Sequence, residues 1–176
     1  MPVQAYNINT RDNIEGNLDG LSYTNSIRES FKAKNVVNYG TAVDRVPADG
    51  DRVVQTGQAL EGHTFGVAIR QVTTESDFRP NTGASAYPVG AIVPILDDGF
   101  IWVVSAGAAA VGDAVYVHST TGRFTNAVTA GYVKSSNMVF ESSCAAGGLA
   151  KVFISRAIIN AAPIVASSEA EPKAKK

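Results

Sequence analysis

The apolar residues between positions 36 and 159 fall into short runs rich in valine and isoleucine, separated by Gly, Asp, Asn, Pro or Ser. Runs of this kind are typical of β-strands bounded by turns, and their spacing is close to the roughly 8–12 residues expected of a sandwich or barrel. The predicted strands are residues 36–46, 53–55, 65–71, 91–96, 100–105, 114–118, 123–125, 138–141 and 149–159.

No segment between these runs is long or periodic enough to be a crossover helix, which favours antiparallel pairing over a βαβ arrangement. The pattern therefore predicts an all-β, antiparallel single domain. We expect three parts: an N-terminal arm (1–35), a β core (36–160) and a C-terminal tail (161–176) of Ala, Ser, Glu, Pro and Lys. The tail's composition cannot bury much apolar area, so the tail is expected to be disordered by itself.

Local signals predict several turns. Asp97-Asp98-Gly99 and Thr120-Thr121-Gly122 have the composition of hairpin turns. Pro94 has no amide hydrogen, so its strand is expected at an edge or at a bulge. Residues 89–100 and 111–124 repeat one order of glycine, strand, glycine turn and return strand, which two hairpins built alike explain more simply than a duplication.

The N-terminal arm is polar, with isolated apolar residues. Ser26 and Glu29 are spaced as a capping box, and Ile27 and Phe31 follow at helical spacing, so a short helix near residues 27–33 is predicted. Such a segment can insert its apolar residues into a groove of a partner. The alternative is that it packs on its own core as an extra strand.

Composition narrows the function classes. The formal net charge is −1 and no basic stripe is present, so we expect no nucleic-acid partner. The single cysteine excludes an internal disulfide and fits synthesis in a reducing cytoplasm. No signal peptide is predicted at the start, and the apolar stretches are too short for a membrane span.

Candidate chemistry is sparse. His63 and His118 have no metal-ligand spacing, and we interpret both as surface residues. Cys144 lacks the context of a nucleophile elbow and is interpreted as part of a turn. Asp97 and Asp98 provide too few oxygen ligands for calcium. We therefore predict no enzyme, no cofactor and no metal, and the remaining alternative is a hydrolase that uses Cys144 or a Ser–Lys pair.

An ordered set of segments over residues 38–154 resembles the structural cement, or head decoration, proteins of tailed bacteriophages. These segments follow one another in the order found in that family: 39–43 (YGTAV), 65–69 (FGVAI), 87–90 (YPVG), 99–103 (GFIWV), 111–117 (VGDAVYV), 122–125 (GRFT) and 147–152 (GGLAKV). The residues before 38 and after 160 match no pattern of the family.

The resemblance implies a jelly-roll or barrel-like virion subunit, bound to the major capsid protein on the outer surface of an icosahedral head. It also implies self-association as a homodimer or homotrimer, without membrane contact. The arm then supplies the candidate capsid-contact anchors, which are Tyr6, Ile8, Ile14, Leu18, Leu21 and Tyr23.

The main rival is a carbohydrate- or receptor-binding β-module of a virion. That class needs an exposed aromatic cluster beside Asp or Asn, whereas the only tryptophan, Trp102, lies within an apolar run. We expect no single polar side chain to be essential for function.

Overall fold

The computed structural model describes residues 15–19, 26–50, 52–57, 64–70 and 86–157, and every structural statement below refers to these residues. Strands and bridges hold 53% of them and helix 3%, so the predicted all-β class is confirmed. The strands are β1 (Ile27–Ala33), β2 (Val37–Asn38), β3 (Ala42–Arg45), β4 (Val53–Thr56), β5 (Gly66–Ala68), β6 (Ala86–Tyr87), β7 (Ile92–Val104), β8 (Ala114–His118), β9 (Phe124–Thr125), β10 (Tyr132–Phe140) and β11 (Leu149–Ile154).

Five strands pair around a closed ring, which we call the first barrel. The order is β1-β4-β3-β5-β7, and β7 pairs again with β1. The β1–β4 pair is parallel, which differs from the antiparallel prediction, and the other four pairs are antiparallel. The barrel-like architecture is thus confirmed, while the jelly-roll alternative is not.

The second half of β7 continues into another set of strands, ordered β7-β11-β10-β8-β9. A parallel bridge between Ser105, just after β7, and Phe124 in β9 brings the last strand back to β7. We call this set the second barrel. The two barrels therefore share one 13-residue strand.

Each barrel encloses its own apolar cluster, because alternate residues of a strand point to opposite faces. Phe31, Val54 and Ile95 lie inside the first barrel. Ile101, Phe140 and Val152 lie inside the second. In β5 the neighbours Val67 and Ala68 belong to different clusters and both are fully buried, so β5 lies between the two cores.

Residues 15–19 add a further edge to β7. The Gly16 N–H donates to the Trp102 carbonyl (2.8 Å), and the Asp19 N–H donates to the Phe100 carbonyl (3.1 Å). Gly16 has φ +82°, and a Cβ there would lie 2.9 Å from the Gly40 amide nitrogen, so a larger residue would require the backbone to shift. Leu18 bridges to Ile101 and is buried in the second core.

Two turn predictions had different outcomes. The turn at residues 120–122 is confirmed between β8 and β9. Gly122 there has φ +64°, and its carbonyl accepts the Ala42 N–H (2.9 Å), so this turn lies against β3 of the first barrel. The turn predicted at Asp97-Asp98-Gly99 is wrong, because these residues lie within β7. Asp97 is the extra residue of a bulge, since Arg28 pairs with Leu96 and Ile27 with Asp98.

The helix predicted near residues 27–33 is also wrong. These residues form β1, which pairs with β7 over six positions and with β4 over two. Phe31 is 2% exposed in the first core, whereas Ile27 is 42% exposed. The helix signals were local, and the pairing that overrides them comes from distant strands.

Pro94 does not lie at an edge, because β7 is paired there with β1 and continues beside Ile69. The Ile69 N–H donates to the Pro94 carbonyl (2.9 Å). In an antiparallel pair the Ile69 carbonyl would accept the partner's N–H, which proline lacks. The Tyr87 hydroxyl donates to that carbonyl instead, at 2.6 Å. This bond explains how a proline is tolerated inside the sheet.

Candidate functional site

The two described groups that were considered for catalysis, His118 and Cys144, have structural roles. His118 ends β8, and its Nδ1 accepts the N–H groups of Thr120 and Thr121, both at 3.2 Å. The Cys144 backbone exchanges two hydrogen bonds with Ala109, and its side chain packs against the second core. His63 lies outside the described residues. Both described groups thus have a structural explanation.

Asp113 also holds a turn. Its Oδ2 accepts the Ala110 N–H and the Asn126 amide, both at 2.9 Å. The Ala110 N–H and then the Asn126 amide hold the pKa of this carboxyl below its ordinary value. The carboxylate therefore stabilises the approach to β8, and no nucleophile lies beside it among its hydrogen-bonding partners.

A buried polar cluster joins three elements beside the second core. Asn137, Ser135 and Thr64 are all 0% exposed. The Asn137 amide donates to the carbonyls of Thr64 (2.9 Å) and Ser155 (2.8 Å), and its Oδ1 accepts the Thr64 N–H (2.9 Å). The Ser135 hydroxyl donates to the same oxygen. The cluster is satisfied internally. It lies where the register of β10 against β8 shifts, between Lys134 and Val139, so we infer that it stabilises this irregularity.

Trp102 does not lie on an open aromatic platform. Its indole N–H donates to Asp19 Oδ1 (3.2 Å), and Lys151 forms an ion pair with the other Asp19 oxygen (3.3 Å). Phe100 and Phe153 pack beside this group with ring centroids 4.9 Å apart. The tryptophan is therefore engaged by residues 15–19.

Of the predicted capsid-contact anchors, the structure describes Leu18 alone. Leu18 is 7% exposed and is part of the second core. The other five predicted anchors, which lie outside the described residues, are Tyr6, Ile8, Ile14, Leu21 and Tyr23. For residues 15–19, then, the structure corresponds to the alternative in which this part of the arm packs on its own core.

A charged cleft opens at one end of the first barrel. It is lined by Glu29, Phe31, Arg45 and Arg52, and we call it the barrel mouth. Glu29 shares the inward face of β1 with Phe31, and Arg45 shares the inward face of β3 with Val43, because each pair is two residues apart. The inward faces of β1 and β3 thus each carry an apolar residue in the core and a charged residue at the mouth.

Arg45 has a fixed position at the mouth. Its guanidinium lies 4.3 Å from the ring centroid of Phe65 and 5.5 Å from that of Phe31. The two rings are themselves in edge-to-face contact, with centroids 5.1 Å apart. A guanidinium stacked on aromatic faces keeps its N–H edge available for hydrogen bonding.

Beside the mouth, Arg156 neutralises the carboxylates. It bonds to Asp97 through Nε and to Glu29 through Nη2 (2.6 Å). Burial raises the pKa of Asp97, and the side-chain bond from Arg156 offsets part of that rise. Among the described residues, neither Arg45 nor Arg52 has a carboxylate within ion-pair distance.

A second surface is apolar and exposed. Val36, Val89 and Ile92 are 55%, 65% and 60% exposed. Val37 pairs with Tyr87, so Val36 and the turn at residues 89–90 both follow the same end of this strand pair. The Gly90 N–H donates to the Ala33 carbonyl (2.8 Å), so the turn that carries Val89 lies against the end of β1. We call these three residues the apolar end.

Neither the barrel mouth nor the apolar end was predicted from the sequence. The Arg156–Glu29 contact joins residues 127 positions apart, so no local motif marks it. The sequence did contain one signal for the barrel mouth. In β1 and β3, a charged residue stands two positions from an apolar one, and therefore on the same face of the strand.

Two classes of site are absent from the described part of the chain. No group of three or more His, Cys, Asp or Glu residues there could hold a metal ion. Within the same residue ranges, no helix has the length and apolar character needed to cross a membrane.

Comparison with known proteins gives one family and two structural neighbours. The family model described as "Structural cement protein (E217 gp24/Pam3 gp6)" matches residues 1–155. A chain from the capsid of Myoviridae phage XM1 has a TM-score of 0.63 at 20% identity, over 81% of this chain and 90% of that one, and thus has a similar fold. The N base of the head fiber gp8.5 of bacteriophage phi29 gives a TM-score of 0.48 at 14% identity, over 77% of this chain and 98% of that one. No curated protein matches the chain in sequence.

Proposed function

Because the chain belongs to the structural cement protein family, we propose that it binds the outer surface of an icosahedral phage head and reinforces contacts between major capsid proteins. Membership of this family makes it a virion structural protein and implies a structural, non-enzymatic role. The observation that carries the proposal is the extent of the family match, which spans both barrels and the residues before them.

The architecture supports a reinforcing role. Two closed barrels joined by one continuous strand form a body with few free sheet edges, and the polar groups at Asn137 are satisfied inside it. Closed barrels avoid unwanted edge pairing between copies, which matters for a protein present in many copies at high local concentration. Weak contacts repeated over a symmetric shell gain strength by multivalency.

We propose the apolar end and the predicted arm anchors as head contacts. Val36, Val89 and Ile92 are exposed β-branched side chains on ordered backbone, so burying them costs little side-chain entropy. The arm contacts rest on the five anchors other than Leu18, because Leu18 is buried in the protein's own core. We further propose a homodimer or homotrimer, synthesised in the host cytoplasm, with no nucleic-acid or membrane contact.

The test uses purified protein and phage heads that lack it. We expect saturable cosedimentation at a fixed copy number per head, cryo-electron microscopy density on the outer surface, and decorated heads that withstand higher temperature than bare heads. Serum albumin at equal concentration controls for trapping. Density confined to the tail or to fibres, with no binding to bare heads, would indicate the rival adhesin-type role.

A further inference from the structure

We propose that the barrel mouth is a receptor for a single carboxylate side chain of a partner protein, held between Arg45 and Arg52 over the Phe31 ring. The identity of the partner as the head protein rests on the proposed function, whereas the carboxylate site itself rests on the geometry of the mouth alone.

The mouth carries an excess of positive charge. Within the described ranges, the mouth and its rim contain three guanidiniums, those of Arg45, Arg52 and Arg156, and two carboxylates, those of Glu29 and Asp97. Arg156 bonds to both carboxylates, whereas Arg45 acts on Asp97 only through its charge, and among the described residues neither Arg45 nor Arg52 forms an ion pair. A monoanion between them would balance this charge.

Arg45 is positioned before any ligand arrives. Its guanidinium stacks on Phe65 and Phe31, so less rotamer entropy is lost on binding. A guanidinium presents paired N–H donors that match the two oxygens of a carboxylate. Arg52 directly precedes β4, and its carbonyl accepts the Lys32 N–H (2.9 Å), so the backbone on that side is fixed as well.

The volume of the cleft and the charge of Glu29 limit which ligand fits. The cleft holds about 150 Å³, roughly half the smallest volume usual for small-molecule sites, about 300 Å³. It therefore suits one inserted side chain. Glu29 also lines the cleft and would repel the second charge of a free phosphate dianion, which favours the single charge of a carboxylate over free phosphate.

The first arm of the test measures the site without any head. The full-length protein is titrated with N-acetyl-glutamate methylamide, with the glutamine analogue and with inorganic phosphate, while the Arg Nε–H signals are followed by NMR. We expect saturable shifts of Arg45 and Arg52 with the glutamate compound alone. Arg45→Gln should abolish the shift of the Arg52 Nε–H, Arg52→Gln should abolish that of the Arg45 Nε–H, and both shifts should persist in Lys134→Gln, which changes an exposed cation on β10. Equal shifts with phosphate or with the glutamine analogue would overturn the proposal.

The second arm identifies the source of the carboxylate. Arg45→Gln/Arg52→Gln should raise the concentration for half-saturation of bare heads at least tenfold, while Lys134→Gln leaves it unchanged. Arg45→Lys should lose most of the contribution that Arg45 makes to head binding, because lysine keeps the charge but not the paired donors. Equal melting temperatures would confirm that the variants are folded.

Light scattering on the free protein distinguishes the head protein from a second copy of this chain as the source of the carboxylate. If the double variant loses its oligomeric state, the carboxylate comes from a second copy, and the assignment to the head protein is wrong. Unchanged head binding in the double variant also overturns that assignment. If the wild-type protein itself does not bind heads, the proposed function fails, and the NMR arm still decides whether the mouth binds a carboxylate.

Discussion

Arg156, two residues beyond the end of β11, bonds to Asp97, the extra residue of the bulge in β7. The same guanidinium reaches Glu29 in β1 at 2.6 Å. One cation thus joins the exit of the second barrel to two strands of the first, at the point where the shared strand changes barrels.

Replacing Arg156 by alanine should destabilise the fold, because the Asp97 side chain, only 10% exposed, would lose its hydrogen-bonding partner. Breaking a fully buried pair costs about 3–5 kcal/mol. Arg156 is half-exposed, so we expect about 1–2 kcal/mol, measured by urea unfolding. The double variant Arg156→Ala/Asp97→Asn should recover most of the loss, and a single variant as stable as the wild type would contradict this account.

Asn137→Ala should be among the most damaging single substitutions in the described chain. It leaves the Thr64 N–H and the carbonyls of Thr64 and Ser155 without their side-chain partner inside the protein. Each buried unsatisfied group costs about 1–3 kcal/mol, so a total of about 3 kcal/mol is expected. Asn126→Ala, which removes a half-buried amide, serves as control and should cost under about 1 kcal/mol.

Tyr87→Phe isolates the bond that compensates for Pro94. The ring can stay in place against Tyr39, while the hydrogen bond to the Ile69 carbonyl is lost. We expect a loss of about 1–2 kcal/mol, seen as a lower melting temperature. Tyr116→Phe on β8 is the matched control, and a similar loss in both variants would argue against a special role for Tyr87.

Two truncations separate the arm from the core. Deleting residues 1–14 retains the bonds of Gly16 and Asp19 to β7, so the melting temperature should be almost unchanged. Deleting residues 1–19 also removes Leu18 from the second core, which should cost about 2–5 kcal/mol, or several degrees at roughly 2–4 °C per kcal/mol. If both truncations melt alike, residues 15–19 do not stabilise the core.

The lowered pKa of Asp113 predicts that the stability of the fold depends on pH. Its pKa in the folded protein lies below the ordinary 3.8, because it accepts the Ala110 N–H and the Asn126 amide. The unfolded chain therefore binds this proton first, so the contribution of Asp113 to stability is complete above the ordinary pKa and is lost as the pH falls through the lowered one. Asp113→Asn should flatten the acid limb of stability against pH. An unchanged limb would show that other carboxylates cause it.

Where apolar and polar positions alternate regularly, the sequence was sufficient to predict the strand. Ala114–His118 and Leu149–Ile154 alternate between buried and half-buried positions. The first was predicted at these bounds; the second was predicted from the same start but as far as residue 159, whereas residues 155–157 lie beyond the strand. Such segments carry their own signal, because one face is apolar along their whole length.

The failures share one physical cause. Asp97-Asp98-Gly99 has the composition of a turn, yet β1 on one side and β11 on the other hold it in an extended strand. Ser26 to Phe31 has helix signals, yet its partners lie in β7. Pairings between distant residues decide these segments, and a window of the sequence does not contain them. The barrel mouth could not be predicted for the same reason.

The sharing of β7 also sets an order of events as the chain leaves the ribosome. The first barrel can close once β7 has emerged, because its other strands all precede it in the chain. The second barrel must wait for β11, and Arg156 follows only after that. Asp97 is therefore without this counter-ion until the chain has been made as far as Arg156. A chain interrupted before β11 would expose the inner face of β7 in the second barrel, so the second core closes only once β11 is present.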